Sequence, residues 1–430
     1  MTNLIHLERT ILISVFALLL SVLTLSCDDG GDADADADAD GDGDGDGDGD
    51  GDGDGDGDGD GDGDGDGDLD ADADGDGDGD GDVDADADTD ADADVHYSGV
   101  FPGESWETRD PADVGLDATA LDELRDYVGG RGVVVRGGYL VYSWGDSARR
   151  ADVASAAKPF YSTLLFLAVE DGRLGSLDDH VADVEPRLND INADLGHKDR
   201  EILWRHVANQ TSCYGVSEEP GAAFDYNDWQ MALFWDSLFL GVYGTSYDSV
   251  DDEVLRPLLT DLIGCEDEPT MMAFGTGDRP GRLAISVRDF ARFGLLYLAG
   301  GEWDGVRIID LDHAQMAVTS SLPNSVPRTA GVEAEMISGQ RTIGSTSVPD
   351  NQTDHMGSYS WLWWTNGVDR DGDRHWPDVP DDAYGAFGHG GPRAMVVIPS
   401  LDVIVSWNDA SVDSREAENE ALRRLVASVL

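Results

Sequence analysis

Only two lysines, Lys158 and Lys198, occur among the 27 basic residues of this chain, so arginine serves almost everywhere a plain positive charge would do. The first stands three residues after a serine, in Ser155-Ala156-Ala157-Lys158. Arginine stays protonated in proteins, whereas a buried lysine can lose its proton, so a rare lysine one helical turn from a hydroxyl points to proton transfer rather than to charge alone. Ser155 is then a candidate nucleophile activated by an amine. An S-x-x-K pair also arises by chance, and its weight rests on what accompanies it.

Positioning such a pair requires a helix that starts at the serine. Ser155 is a good N-cap, Pro159 is tolerated in a first turn, and the apolar stretch through Val169 predicts a buried helix ended by Asp171-Gly172. Backbone N–H groups at a helix start lack partners and the helix dipole favours negative charge, so one turn can present a nucleophile and stabilise an oxyanion.

The surrounding elements are legible from periodicity. Leu121, Leu124 and Val128 mark an amphipathic helix, followed by strands Val133–Arg136 and Tyr139–Trp144 across a Gly137-Gly138 turn. Near the other terminus, Ala394–Ile398 and Val403–Trp407 form a second hairpin around Pro399-Ser400-Leu401-Asp402, and a closing helix carries Leu422, Leu425, Val426 and Val429 on one face. This predicts an α+β fold: an antiparallel sheet built from both chain ends, flanked by helices. A mainly helical lobe of about residues 170–350 is inserted between, including a helix from Ser286 through Leu298. Tyr359, Trp361, Trp363 and Trp364 alternate loosely as on a strand, to fill the core or to wall an apolar cleft.

Residues 1–27 carry a sparse positive end and the apolar run 11–25, too short to span a bilayer but suited to a signal peptide. The run ends in Leu23-Thr24-Leu25-Ser26-Cys27, similar to a bacterial lipoprotein cleavage site with Cys27 as the lipidated residue. The expectation is an exported protein of the bacterial cell envelope, membrane-anchored through lipid. From residue 28 to 94 nearly every second residue is aspartate. Such a tract has no apolar surface to offset the entropy of ordering, and its charges repel one another, so it is expected to be a disordered tether reaching on the order of 220 Å when stretched. D-x-D-x-D-G recurs there, as from Asp70 to Gly75, but the twelfth position of that loop is Gly81 rather than glutamate, so only weak Ca2+ association is expected.

The formal charge of -63 divides unevenly: 34 of the 90 acidic residues lie in the tract, and the remainder carries 56 acidic against 27 basic residues. So negative a surface repels phosphates and excludes a nucleic-acid partner. Cys213 and Cys265 could pair in an oxidising setting or remain as buried thiols. H-E-x-x-H and C-x-x-C are absent, so neither metal nor cofactor is indicated, and no G-x-S-x-G elbow exists.

Beyond Ser155-x-x-Lys158, the segment Pro220-Gly221-Ala222-Ala223-Phe224-Asp225-Tyr226-Asn227-Asp228 resembles the P-G-x-x-F-x-Y-x-N element of the serine β-lactamase and penicillin-binding protein superfamily, in its class C and esterase-like branch. Trp204–Ser212 is similar to the helix and loop preceding that element, and Gly388-His389-Gly390-Gly391 stands where the K-T-G or H-x-G strand lines the active site. The resemblance covers nearly all of 97–430 and implies a β-lactamase-like serine hydrolase domain over 95–430. It makes Ser155, Lys158 and Tyr226 catalytic, with Asp228, His389, Gly390 and Gly391 contacting substrate. A lysine ammonium beside a phenol favours the phenolate, so Tyr226 could take the Ser155 proton and return it to the leaving group.

Two positions depart from the family pattern. Asp228 replaces the asparagine of Y-x-N, and an acid there would hold Lys158 protonated and serve a β-lactam side chain poorly. Pro392 stands third after His389, where relatives supply an oxyanion-hole N–H that proline lacks, so either the donor shifts to Gly390 or Gly391 or the hole is weak. The sequence thus predicts an acyl-enzyme hydrolase acting on an ester, small amide or D-amino-acid peptide. The alternatives are a β-lactamase, or a surface binding protein that keeps the fold without its chemistry.

Overall fold

The computed structural model describes Tyr97 and residues 99–272, 281–344 and 353–430. The expected signal segment, Cys27 and the acidic tract lie outside the described residues. Helix α1 (Ala118–Val128) starts where the Asp117 carboxylate accepts the Thr119 N–H at 2.8 Å and buries Leu121, Leu124 and Val128. Strands β1 (Arg131–Arg136) and β2 (Tyr139–Trp144) pair antiparallel across Gly137 and Gly138, whose φ of 60° and 77° are what a tight two-residue hairpin turn demands. Two short strands, β3 (Ala151–Asp152) and β4 (Ala284–Ile285), bracket the helical middle.

That middle contains α2 (Lys158–Glu170), α3 (Trp204–Ala208) and α4 (Asp228–Trp235), then α5 (Val287–Leu298), the small hairpin β5 (Glu302–Trp303) and β6 (Val306–Arg307), and α6 (Leu311–Thr319). The chain returns through β7 (Tyr359–Ser360), β8 (Trp363–Thr365), β9 (Tyr384–Gly388), β10 (Arg393–Ile398) and β11 (Val403–Asn408), and closes with α7 (Arg415–Ala427). The seven-stranded sheet runs β2-β1-β11-β10-β9-β8-β7, so β1 from the front of the domain pairs with β11 from its end, Val134 facing Val405.

Alternation in β1 sends Val134 to one face and Val133 and Val135 to the other. Val134 packs with Leu121, Leu124, Leu422 and Leu425 of α1 and α7, and Val133 and Val135 join the core that holds α5. Full burial of each such side chain contributes about 1.5–3 kcal/mol. α5 comes close to the sheet because Gly294 has no side chain: a Cβ there would sit 2.7 Å from Met395 Sδ. The domain's ends are tied directly, with the Asp117 N–H donating to the Ser428 carbonyl at 2.8 Å and the Leu430 N–H to the Gly115 carbonyl at 3.0 Å.

Two local readings are corrected. Ser155 caps nothing; it lies inside a 3-10 turn, Ala154–Ala157, that runs straight into α2. The turn is held three residues earlier, where Asp152 Oδ1 accepts the Ala154 N–H at 2.8 Å and Ala154 takes a left-handed φ of 50°. The aromatic run is not one strand, because Trp361 and Leu362 have φ of 46° and 72° and split it into β7 and β8. Tyr359, Trp361 and Trp363 are core, while Trp364 is half-buried and reaches a cleft. Cys213 and Cys265 are both free thiols.

Candidate active site

The Ser155 turn is fixed from below. Val153 N–H donates to the Leu283 carbonyl at 2.9 Å, extending the β3–β4 pairing, and Arg282 forks the Asp152 carboxylate with both Nε and Nη2. A bidentate guanidinium–carboxylate pair sets orientation as well as position, so Asp152 holds the Ala154 N–H and with it the turn that carries the serine. Ser155 N–H is left with no partner among the described residues, as expected of the first residues of a helical turn.

Lys158, the first residue of α2, is 2% exposed and its Nζ donates to Ser155 Oγ at 2.8 Å. The same ammonium lies 4.5 Å from the centroid of the Tyr226 ring and 3.7 Å from Asp228 Oδ1. Burial by itself pulls the lysine pKa down. The charges of Tyr226 and Asp228 and a hydrogen bond to the phenol outweigh it, and the net direction is upward. Lys158 is therefore an ammonium at neutral pH, as the replacement of asparagine by Asp228 suggested.

Tyr226 is remote along the chain and is delivered by a buried polar clamp. Gln210 Oε1 accepts from the Asn227 N–H at 3.1 Å and from Gln230 Nε2 at 3.0 Å, and Ser212 Oγ donates to Gln230 Oε1 at 2.6 Å. Asn227 Oδ1 accepts the Gln230 N–H at 2.7 Å and so caps α4, which leaves Asp228 in the first helical turn. The Tyr226 ring meets Tyr359 edge-on at 6.1 Å and Trp364 at 6.4 Å. Gln210 and Asn227 lie inside the two segments noted for their resemblance but were given no role there, and Gln230 was not singled out.

The third wall is β9. A Cβ on Gly388 would lie 2.3 Å from the Val153 carbonyl oxygen and 3.3 Å from the Ala156 nitrogen, so only glycine lets this strand rest against the serine turn. His389, Gly390 and Gly391 form the turn to β10 with φ of 55°, 71° and 123°. The Gly391 N–H donates to the Gly388 carbonyl at 3.2 Å, within the turn. A trans peptide points its C=O and N–H in opposite directions, so the His389 N–H is directed out of the hairpin, and it bonds none of the described residues. Pro392 is not among the residues lining the cleft, and its carbonyl accepts the Ala410 N–H at 3.0 Å. The His389 N–H is thus one outward donor, and the Gly390 N–H likewise bonds none of the described residues. Burial, then Arg393 and Arg282, hold the His389 imidazole below its ordinary pKa and hence neutral at pH 7.

Ser155, Lys158, Tyr226, Asp228, His389 and Gly390 all line one cleft of about 850 Å³. Gly391 does not line it; the Trp407 Nε1–H donates to its carbonyl at 2.7 Å and anchors the turn from behind. Arg282, His375, Arg415 and Glu418 also face the cleft and were not anticipated, because no local pattern ties them to Ser155.

This fold and site define the class to which the protein belongs. The family model described as Beta-lactamase matches residues 118–427, and the chain is a member of that family, with a β-lactamase-like fold consistent with serine hydrolase activity. No curated protein matches the sequence. Among solved structures, a putative β-lactamase from Bacteroides dorei superposes with a TM-score of 0.54 at 16% identity, covering 73% of this chain and 99% of that one. A putative 6-aminohexanoate-dimer hydrolase from Bacillus anthracis gives 0.50 at 16% identity, covering 76% and 87%. A class C β-lactamase from Rhodobacter sphaeroides gives 0.44 at 19% identity, covering 72% and 98%.

Proposed function

We propose that the protein is an exported, lipid-anchored serine hydrolase that works through an acyl-enzyme on an ester, small amide or D-amino-acid peptide bond. The observation that carries this reading is the 2.8 Å contact between Lys158 Nζ and Ser155 Oγ, made at the Tyr226 ring and within a cleft. Lys158, held as the ammonium, supplies charge and orientation, and Tyr226 is the group that moves protons. Ser155 Oγ attacks the carbonyl carbon while its proton passes to the Tyr226 oxygen. The resulting oxyanion meets the N–H groups of Ser155 and His389. Collapse breaks the bond to the leaving group, which takes the proton back from Tyr226. Water then attacks the acyl carbon as its proton passes to Tyr226, and collapse expels Ser155 Oγ, which takes that proton from Tyr226 and restores both groups.

β-Lactam hydrolysis is the second reading, and Asp228 disfavours it because a carboxylate cannot donate the hydrogen bond an asparagine amide gives. Incubation of the full chain with a fluorophosphonate and with a fluorescent penicillin tests both. Labelling at Ser155 that vanishes in Ser155→Ala supports the hydrolase, and Tyr226→Phe is expected to lower kcat on p-nitrophenyl esters by about 10²–10⁴. No labelling by either reagent overturns the reading. Turnover of p-nitrophenyl esters, nitrocefin and D-Ala-D-Ala peptides ranks the substrate classes.

A further inference from the structure

One shoulder of the cleft takes no part in the scheme above. Trp364, His375, Phe387 and Glu418 line the same cavity as Ser155 but come from β8, the loop after it, β9 and α7. The His375 ring stacks on Trp364 with centroids 5.4 Å apart and planes 10° from parallel, and meets Trp376 edge-on at 4.8 Å. Trp376 packs on Phe387 at 5.3 Å and donates its Nε1–H to Glu418 Oε2 at 3.2 Å. The result is an aromatic box with two polar groups set into it.

Both polar groups are more than nine-tenths buried. His375 is 9% exposed and its Nδ1 has no hydrogen-bond partner among the described residues. Glu418 is 6% exposed, and among the described residues no basic side chain forms an ion pair with it. Burying a polar atom without a partner is costly, so the box is built for a ligand group that brings one. Burial pushes the Glu418 carboxyl up to about 8 and the His375 imidazole down to about 3, so both are uncharged at neutral pH. Arg415, one turn earlier on α7, is exposed at the rim of the same cavity.

We propose that Trp364, His375, Phe387 and Glu418 form a recognition subsite for an uncharged, planar, hydrogen-bonding group of the substrate, a carboxamide or peptide amide. Its link to catalysis rests on Ser155 being the nucleophile; its binding of an amide does not. A flat amide fits against the stacked ring faces. The protonated Glu418 donates its O–H to the amide carbonyl, and the neutral His375 imidazole, which lines the cavity, takes the amide N–H. A carboxylate entering the same box would lose its hydration against two uncharged groups, with Arg415 only at the rim.

Titration calorimetry of the full chain with benzamide and with benzoate, on the wild type and on Ser155→Ala, decides the matter. Benzamide is expected to bind both proteins about tenfold or more tightly than benzoate at pH 7, the discrimination of a site that hydrogen-bonds one partner and not the other. Glu418→Gln is expected to retain benzamide, whereas Glu418→Leu and His375→Phe weaken it about tenfold with unchanged circular dichroism. Benzoate binding as tightly as benzamide overturns the proposal in favour of an anion site at Arg415. Undetectable benzamide binding overturns it as well, and should the variants fail to fold, the wild-type ratio of the two ligands decides. Benzamide binding alongside full ester hydrolysis by Ser155→Ala would keep the subsite and discard the nucleophile.

Discussion

Gly388 and Val153 approach so closely that no side chain fits between strand β9 and the serine turn, a Cβ at 388 falling 2.3 Å from the Val153 carbonyl oxygen. That contact sets the distance between the nucleophile and the His389 N–H, the two halves of the proposed oxyanion site. Gly388→Ala must push the strand off the turn, and a misplacement of about 1 Å can cost about 10² in rate. kcat/KM on p-nitrophenyl acetate is expected to drop by that order. A variant with wild-type kinetics would show that β9 does not position the reacting groups.

Asp228→Asn removes a carboxylate 3.7 Å from the Lys158 ammonium. Because Asp228 is one of the groups that raise the lysine, its loss lowers the pKa of Lys158, and the ammonium form is lost at a lower pH than in the wild type. The alkaline limb of kcat/KM is expected to move toward lower pH, with nitrocefin turnover rising as the amide becomes available. An unmoved limb would separate Asp228 from the lysine.

Glu418 is the group for a stability test. Its folded pKa of about 8 lies above that of an unfolded glutamate, so the native state binds the extra proton between the two values. The sign follows: the contribution is whole below the unfolded pKa and is lost as pH rises through about 8. Glu418→Gln does not titrate, so its Tm relative to wild type is expected to climb from pH 5 to about pH 8 and to level off above it. A constant difference across that range would contradict the assignment.

The two thiols of the domain give a fourth check. Burial pushes Cys213 up to about 12 and Cys265 well above its ordinary value, so neither is a thiolate at pH 8. Both are expected to resist Ellman's reagent in the native protein and react promptly in guanidinium, and a reducing agent should leave Tm unchanged. Rapid native labelling would place a thiol at the surface.

The two hairpins and the flanking helices were legible because each is specified locally: glycines at positive φ in one turn, alternation in the strands, and a 3.6-residue stripe in α1 and α7. The serine and lysine stood out by type and spacing and the tyrosine only through the resemblance of Pro220–Asp228 to a family element; the fold brings all three to one cleft. What stayed hidden depends on partners far apart in the chain. The start of α2 was misplaced because Asp152, not Ser155, satisfies the turn, and Asp152 is itself set by Arg282, 130 residues on. The outward N–H of His389 depends on where β9 stops, which is decided by a Gly388–Gly391 hydrogen bond rather than by residue type. The box of His375 and Glu418 exists only once a loop and the last helix meet, and neither segment announces it alone.

Because β1 rests between β2 and β11, the front hairpin has only one of its two neighbours until the chain has been made past Val403. The sheet that supports the serine turn therefore cannot be finished on a growing polypeptide, and its assembly must close a loop spanning most of the domain, which makes folding slow. A ribosome that stalls before residue 403 leaves behind a hairpin with an open edge and Val134 without the α7 side chains that cover it, the kind of surface that invites aggregation or degradation.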